Sequence, residues 1–230
     1  MKKLVVLTGA GISAESGIST FRDSNGLWEG HDVMEVASPQ GWAKNPALVQ
    51  DFYNKRRRQL HQVQPNRGHE ILAELQEHLQ VHIITQNVDN LHERAGSRNV
   101  IHLHGELFKV RSTQDDNDVR HWEGDLTEND RDANGFPLRP HIVWFGEAVP
   151  QMEPAIELAM QADIFAVAGT SMQVYPAAGL IDFAPGHAPI FYVDPKPATL
   201  YLPGKRLTVI AEPASTGLEA MRAAILRMLQ

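Results

Sequence analysis

The sequence predicts an α/β fold: a Rossmann-like parallel sheet with a smaller lobe formed by two insertions. Short apolar, β-branched runs recur along the chain, and runs of this length suit strands buried on both faces. Helical patterns lie between several of them, and strands alternating with helices indicate a parallel sheet. Two stretches, about 27–68 and 107–140, do not fit that alternation.

The runs are "LVVLT" (Leu4–Thr8), "VHIIT" (Val81–Thr85), "VIHLH" (Val100–His104), "IFAVAG" (Ile164–Gly169), "IFYV" (Ile190–Val193) and "LTVIA" (Leu207–Ala211). In "HEILAELQEHL", Ile71, Leu72, Leu75 and Leu79 repeat at helical spacing. Leu218, Met221, Ile225 and Leu229 do the same near the end, where Thr216 and Glu219 have the spacing of a capping box. Segments 1–26, 69–106 and 141–230 are assigned to the sheet domain. Segments 27–68, a helical module, and 107–140 are assigned to the lobe, with a cleft between the two. "STQDDND" and "ENDRDANG" read as surface turns.

The 230 residues are 43% hydrophobic, enough for one sizeable core. A net charge of -7 argues against nucleic-acid or membrane-surface partners. The short basic run "KRRR" reads as a solvated helix face, at least for Arg57 and Arg58. With no cysteine, disulfides, thiolate nucleophiles and cysteine zinc sites are excluded. The N-terminal apolar run is too short for a signal peptide, and no window approaches the roughly 20 apolar residues of a membrane span. The expectation is a soluble, cytoplasmic protein, and the residues imply no particular oligomeric state.

Ligands of open parallel sheets bind outside the carboxyl ends of the strands. Three ends carry small or polar residues: "GAGIS", "QNVD" and "GTS". The first opens "GAGISAESGISTFR", where Gly9, Gly11 and Ala14 have a G-x-G-x-x-A spacing and Gly17, Ser19 and Thr20 interrupt any long helix. Such a turn lets backbone amides around Gly9, Ala10 and Gly11 approach a pyrophosphate.

The motifs "GAGISAESGISTFR", "TQNVDNLHERAG", "LHGEL", "VWFGE" and "GTS", in that order, resemble the sirtuins, the NAD-dependent protein deacylases. The match runs over nearly the whole chain. "ASPQGW" and "NPALVQDFYNKRRRQL" further resemble the bacterial CobB-like and mitochondrial desuccinylase-like branch. The resemblance implies NAD as cofactor and acyl-lysine proteins as substrates. Glu15 to Arg22 would then fold over the cofactor, with Phe21 shielding the reacting ribose carbon and Arg22 near the phosphates. Gln86 would face ribose hydroxyls, Asn87 would position ribose or a water, and Asp89 would accept from the nicotinamide amide. The alternative for Asn87 and Asp89 is capping of the next helix. Gly169, Thr170, Ser171 and Asp194 would hold ribose and phosphates, with Ala214 on the adenine side. His104 would be the general base and His102 structural; imidazole titrates near ~6.5, so it takes a proton at neutral pH. Val143, Phe145, Gly146 and Glu147 of "VWFGE" would form an edge that pairs with an extended peptide, an interior strand being the alternative.

The chain departs from the family in one place. Sirtuins commonly hold a structural zinc with four cysteines after "HGEL", and this region has none. No metal is expected, and Phe108, Val110, Trp122, Leu126 and Phe136 are expected to hold the lobe.

In "PALVQDFYNKRRRQL", Val49, Phe52, Tyr53, Arg56 and Leu60 share one helical face. A charge on that stripe is costly unless paired, so Arg56 is either snorkelling or aimed, with Tyr53, at a carboxylate on the acyl group. The resemblance favours the second, with Ala37 leaving room for a longer acyl chain. The implied reaction removes succinyl, malonyl and acetyl groups and yields nicotinamide and O-acyl-ADP-ribose. Protein ADP-ribosyl transfer and a non-catalytic NAD or ADP-ribose sensor stand as alternatives.

Overall fold

The computed structural model describes residues 1–19, 27–28 and 30–230. Strand β1 (Lys3–Thr8) leads into the four-residue helix α1 (Gly11–Ala14). The pair β2 (Leu27–Trp28) and β3 (His31–Asp32) precedes α2 (Val33–Val36), α3 (Pro39–Lys44) and α4 (Pro46–Gln62). The chain then runs through α5 (Arg67–Glu74), β4 (Gln80–Thr85), α6 (Leu91–Arg94) and β5 (Val100–His102). Strands β6 (Gly105–Ser112), β7 (Val119–His121) and β8 (Leu138–Ile142) follow. Last come α7 (Met152–Ala159), β9 (Ile164–Ala168), β10 (Ile190–Val193), β11 (Leu207–Ile210) and α8 (Ala214–Leu229).

The main sheet has the order β11-β10-β9-β1-β4-β5, all parallel. Counting its strands along the chain, this is the 3-2-1-4-5-6 order whose direction reverses beside the first strand, where ligands bind. The registers are level: Thr8 lies opposite both Thr85 and Ala168, Thr85 opposite His102, and Ala168 opposite Val193. The polar turns after these strands therefore open along one edge. Leu4 to Leu7 are all fully buried. Leu4 and Val6 pack with Ile71 and Leu72 of α5 and Leu218 and Met221 of α8. Val5 and Leu7 pack with Ala155 and Ala159 of α7 on the other face. Burial on both sides explains why the run is continuous rather than alternating.

In the second lobe, α3 and α4 each start with proline at the first turn, behind caps whose side chains hold backbone N–H groups: Ser38 that of Gly41 and Asn45 that of Leu48. Their apolar faces meet in a cluster with Val49, Phe52, Tyr53, Leu60, Leu107 and Trp144. The stretch 107–140, which did not fit the alternation, contributes to an antiparallel sheet of order β7-β6-β8, with turns at the two segments read as such. Val110, Leu126 and Leu138 form its small core with Trp122 packed against it. Phe136, expected inside, is exposed, and Leu138 takes its place.

Two further expectations are corrected. Arg57 is not on a solvated face: it is fully buried, donating from Nε to the Leu107 carbonyl at 2.7 Å and from a terminal nitrogen to Asn54 at 2.6 Å. Burial pushes its pKa down to about 10. Asn54 also bonds both the N–H and the carbonyl of Leu126, so α4 is tied into the small sheet. Arg58 does sit outside, beside Asp125. The capping box at Thr216 is absent because α8 starts earlier, after Pro213, and Glu219 is engaged by Arg67 and Arg222.

In the stretch after "HGEL", this chain has a buried polar knot. The Ser112 hydroxyl donates to Asp132 at 2.6 Å and accepts from the N–H groups of Gln114 and Asp115. Asp132 also accepts from the N–H groups of Asn134 and Phe136. Among the described residues no cluster of His, Asp or Glu could hold a metal. The Ser112 hydrogen bond, with the backbone N–H groups, holds the Asp132 carboxyl below its usual value. A depressed carboxylate stabilises the fold above the unfolded value of 3.8 and loses that contribution as pH falls through the folded value. Asp132→Asn should therefore lower the melting temperature at neutral pH. The deficit relative to the parent should shrink below pH ~4 in thermal denaturation; a deficit independent of pH would refute this account of the knot.

Candidate active site

A cavity of about 400 Å3 opens between the carboxyl edge of the main sheet and the second lobe. That is ample for a ligand site. Gly9, Ala10 and Gly11 form part of one wall, and Gly169, Thr170 and Ser171 part of another. The N–H groups of the two glycines themselves are engaged within the protein. Gly9 N–H donates to the Ala168 carbonyl at 3.1 Å and Gly11 N–H to the Gly169 carbonyl at 2.8 Å. A Cβ on Gly11 would lie 2.8 Å from the Gly169 Cα. The glycines thus let two strand-end loops touch.

Between those walls lies a connected polar floor. Gln86 donates to the Thr170 hydroxyl at 3.1 Å, bridging the ends of β4 and β9. Asn87 donates its amide to Ser13 Oγ at 3.1 Å, and Ser13 Oγ donates to Asp89 at 3.0 Å. The other Asp89 oxygen accepts from the Leu91 N–H at the start of α6, so Asp89 serves the helix and faces the cavity at once. Burial holds its carboxyl above the usual value. His69 completes the floor from below. Its Nδ1 accepts from the Asn66 N–H, which leaves an Nε2–H for Ser13 Oγ, and burial lowers its pKa to about 4. Ser13 and His69 carry no separate signal in the sequence; only Ser13's place in the glycine turn could have pointed to it. Asp194 is buried at the end of β10, lines the cavity and accepts from the Lys196 N–H.

His104 follows β5 in a tight turn. Gly105 next to it has φ +82°, and a Cβ there would lie 2.0 Å from the His141 carbonyl oxygen, so the turn requires glycine. The His104 ring bonds the Gln86 carbonyl through Nδ1 at 3.0 Å. A carbonyl only accepts, so Nδ1 carries the proton and Nε2 is the basic nitrogen. Burial pushes the pKa of this imidazole down, the Gln86 bond opposing only in part, so the ring is neutral at neutral pH.

From the second lobe, α4 presents Tyr53 and Arg56 to the same cavity, with Ala37 beside them. The Tyr53 hydroxyl accepts from Trp144 Nε1 at 3.1 Å. Indole donates only, so the phenol keeps its own proton to give, and burial raises its pKa. The Arg56 guanidinium lies 4.4 Å over the Trp28 ring and is 7% exposed. Trp144 and Trp28 are site residues that the motif reading did not single out.

The "VWFGE" segment lines the cavity but is neither an edge strand nor an interior one. β8 stops at Ile142, and Trp144 to Glu147 make a turn closed by Glu147 N–H on the Trp144 carbonyl. Glu147 accepts from the Trp144 N–H and from Arg139, whose guanidinium stacks on the Trp144 ring at 3.4 Å. Val143 donates to the His104 carbonyl, and Phe145 to that of Ala37. The segment thereby joins the His104 turn, the end of α2 and the small sheet.

Two expected residues stand apart from the cavity. Glu15 accepts from the Ser215 N–H and hydroxyl, so it fastens the start of α8. Ala214 is buried in the core beneath that turn. Phe21 and Arg22 lie outside the described residues.

A family model, the Sir2 family, matches residues 9–176. A protein of Helicobacter pylori (strain ATCC 700392 / 26695) named NAD-dependent protein deacylase is 62% identical over 203 residues, 88% of this chain and 89% of that one. One of the same name from Bacteroides thetaiotaomicron is 52% identical over 96% of this chain and 97% of its own. Among solved structures, a Sir2 homolog–NAD complex superposes with TM-score 0.88 at 40% identity, covering 100% of this chain and 91% of that one. The chain belongs to the Sir2 family of NAD-dependent protein deacylases.

Proposed function

We propose that this protein is an NAD-dependent protein-lysine deacylase that removes succinyl and malonyl groups, and acetyl as a secondary substrate, producing nicotinamide and O-acyl-ADP-ribose. The observation that carries the reading is that His104 on the sheet side and Tyr53 with Arg56 on the lobe side face one cavity. The names of the relatives support the deacylase part, and a neighbour described as Sir2 bound to acetylated peptide supports acyl-lysine as the class of partner.

The wall chemistry fits NAD: glycine-lined strand ends, hydroxyl and amide donors at Gln86, Asn87, Thr170 and Ser171, and the buried carboxylate of Asp194 for ribose hydroxyls. When bound, NAD supplies a ribose carbon that becomes electrophilic as nicotinamide departs, to be attacked by the acyl oxygen. Asn87 and Asp89, fixed through Ser13, orient the nicotinamide-side ribose and its carboxamide. His104 Nε2 takes a proton from a ribose hydroxyl while the Gln86 carbonyl holds its Nδ1–H and the ring angle. Tyr53 donates, and Arg56 pairs, to a carboxylate at the end of the acyl chain. Ala37 leaves the space that chain needs. The segment 143–147 contributes backbone groups for a peptide, braced by Arg139 and Glu147. Succinyl-, malonyl- and acetyl-lysine forms of one peptide, assayed for nicotinamide release, test the selectivity: the acidic acyl groups should give the higher kcat/KM, and a preference for acetyl would reject it.

A further inference from the structure

Two consecutive peptide carbonyls under the site are each held by a histidine. Gln86 O accepts from His104, and Asn87 O accepts from His102 Nδ1 at 3.1 Å. His102 is bonded on its other side too: Nε2 lies 2.8 Å from a carboxylate oxygen of Glu93 on α6. Both of its partners, a carbonyl and a carboxylate, only accept, so both bonds form only when both ring nitrogens carry protons. We propose that His102 is a positioning residue that grips the Asn87 peptide as an imidazolium, so that its deprotonation releases the Gln86–Asp89 turn and lowers catalysis at alkaline pH.

The charges around the ring agree. Glu93 contacts it directly, and Glu106 on β6 lies 4.0 Å away, itself paired with Lys109. Asp89 and His92 also couple to it electrostatically. Asp89 favours the imidazolium, and burial keeps His92 neutral. Burial of His102 opposes its charge, but the Glu93 bond, the carboxylates and the Asn87 carbonyl prevail and its pKa is raised above 6.5. A raised histidine pKa means the grip is complete at lower pH and is lost as pH rises through the folded value. His104, lowered by burial, moves the other way. The pair therefore brackets a window in which one ring is a neutral base and the other a cationic clamp.

The inference rests on the deacylase reading, and the pH dependence of kcat/KM with an acyl-lysine peptide tests it. The parent should show an alkaline limb. Glu93→Gln keeps the side chain's shape but removes the charge, so the limb should move down by about one to two pH units. His102→Gln, which cannot titrate, should have a lower kcat/KM at neutral pH and no such limb. A limb unmoved in Glu93→Gln, or absent from the parent, would overturn the proposal with the activity itself intact. Absence of any turnover in the parent would instead count against the deacylase reading. If His102→Gln fails to fold, the Glu93→Gln comparison still decides.

Discussion

His104→Ala is expected to lose about 10²–10⁴ of its deacylation rate, or roughly 3–5 kcal/mol of transition-state stabilisation, while still binding NAD. The size follows from removing a positioned base whose tautomer is set by the Gln86 carbonyl. Retained binding follows because the walls at residues 9–11 and 169–171 and Asp194 do not depend on the ring. Steady-state kinetics with a titration of NAD binding check both halves. The parent's kcat/KM should fall on the acid side with a midpoint below 6.5, since burial lowers this imidazole's pKa and only its neutral form accepts a proton. Turnover of the variant near the parent rate would remove His104 from its role.

Arg56→Met is expected to lose about 10–150-fold in desuccinylation and far less in deacetylation. A charge-assisted contact to a carboxylate contributes about 1.5–3 kcal/mol, and an acetyl group offers no carboxylate. Methionine keeps the aliphatic stem and removes the fork that lies over the Trp28 ring. Tyr53→Phe should act in the same direction but more weakly, since it removes one neutral donor and leaves the Trp144 N–H unaccepted. Measuring both substrates on one variant separates selectivity from a folding defect, which would depress both. Equal losses would return Arg56 to a structural part of the lobe.

The strands of the main sheet were legible because burial on both faces leaves an uninterrupted apolar run, as in Leu4 to Leu7. The residues beyond their carboxyl ends were legible because glycine, amides and hydroxyls break those runs at level positions. The small sheet was not. Its strands carry Lys109, Arg111 and Arg139, whose charges are met by Glu106, Asp116 and Glu147, so the alternation that marks a strand is hidden. Arg57 misled for a related reason. Arg57 and Arg58, at the end of a basic run, look solvated, yet helical rotation turns Arg57 onto the Leu107 carbonyl. Glu15 looked like part of the cofactor loop because it sits in the motif, but its carboxylate closes the distant start of α8, a partner 200 residues away. Local patterns carried the scaffold, while pairings across long sequence separation decided which polar side chains reach the cavity.

The most direct test of the account is the mass balance of a single reaction. The protein, NAD and a succinyl-lysine peptide are combined, and the products are weighed by mass spectrometry. The account predicts equal amounts of free-lysine peptide, nicotinamide and O-succinyl-ADP-ribose, with the protein's own mass unchanged. NAD consumed without loss of the acyl group, with ADP-ribose attached to protein or peptide, would contradict it.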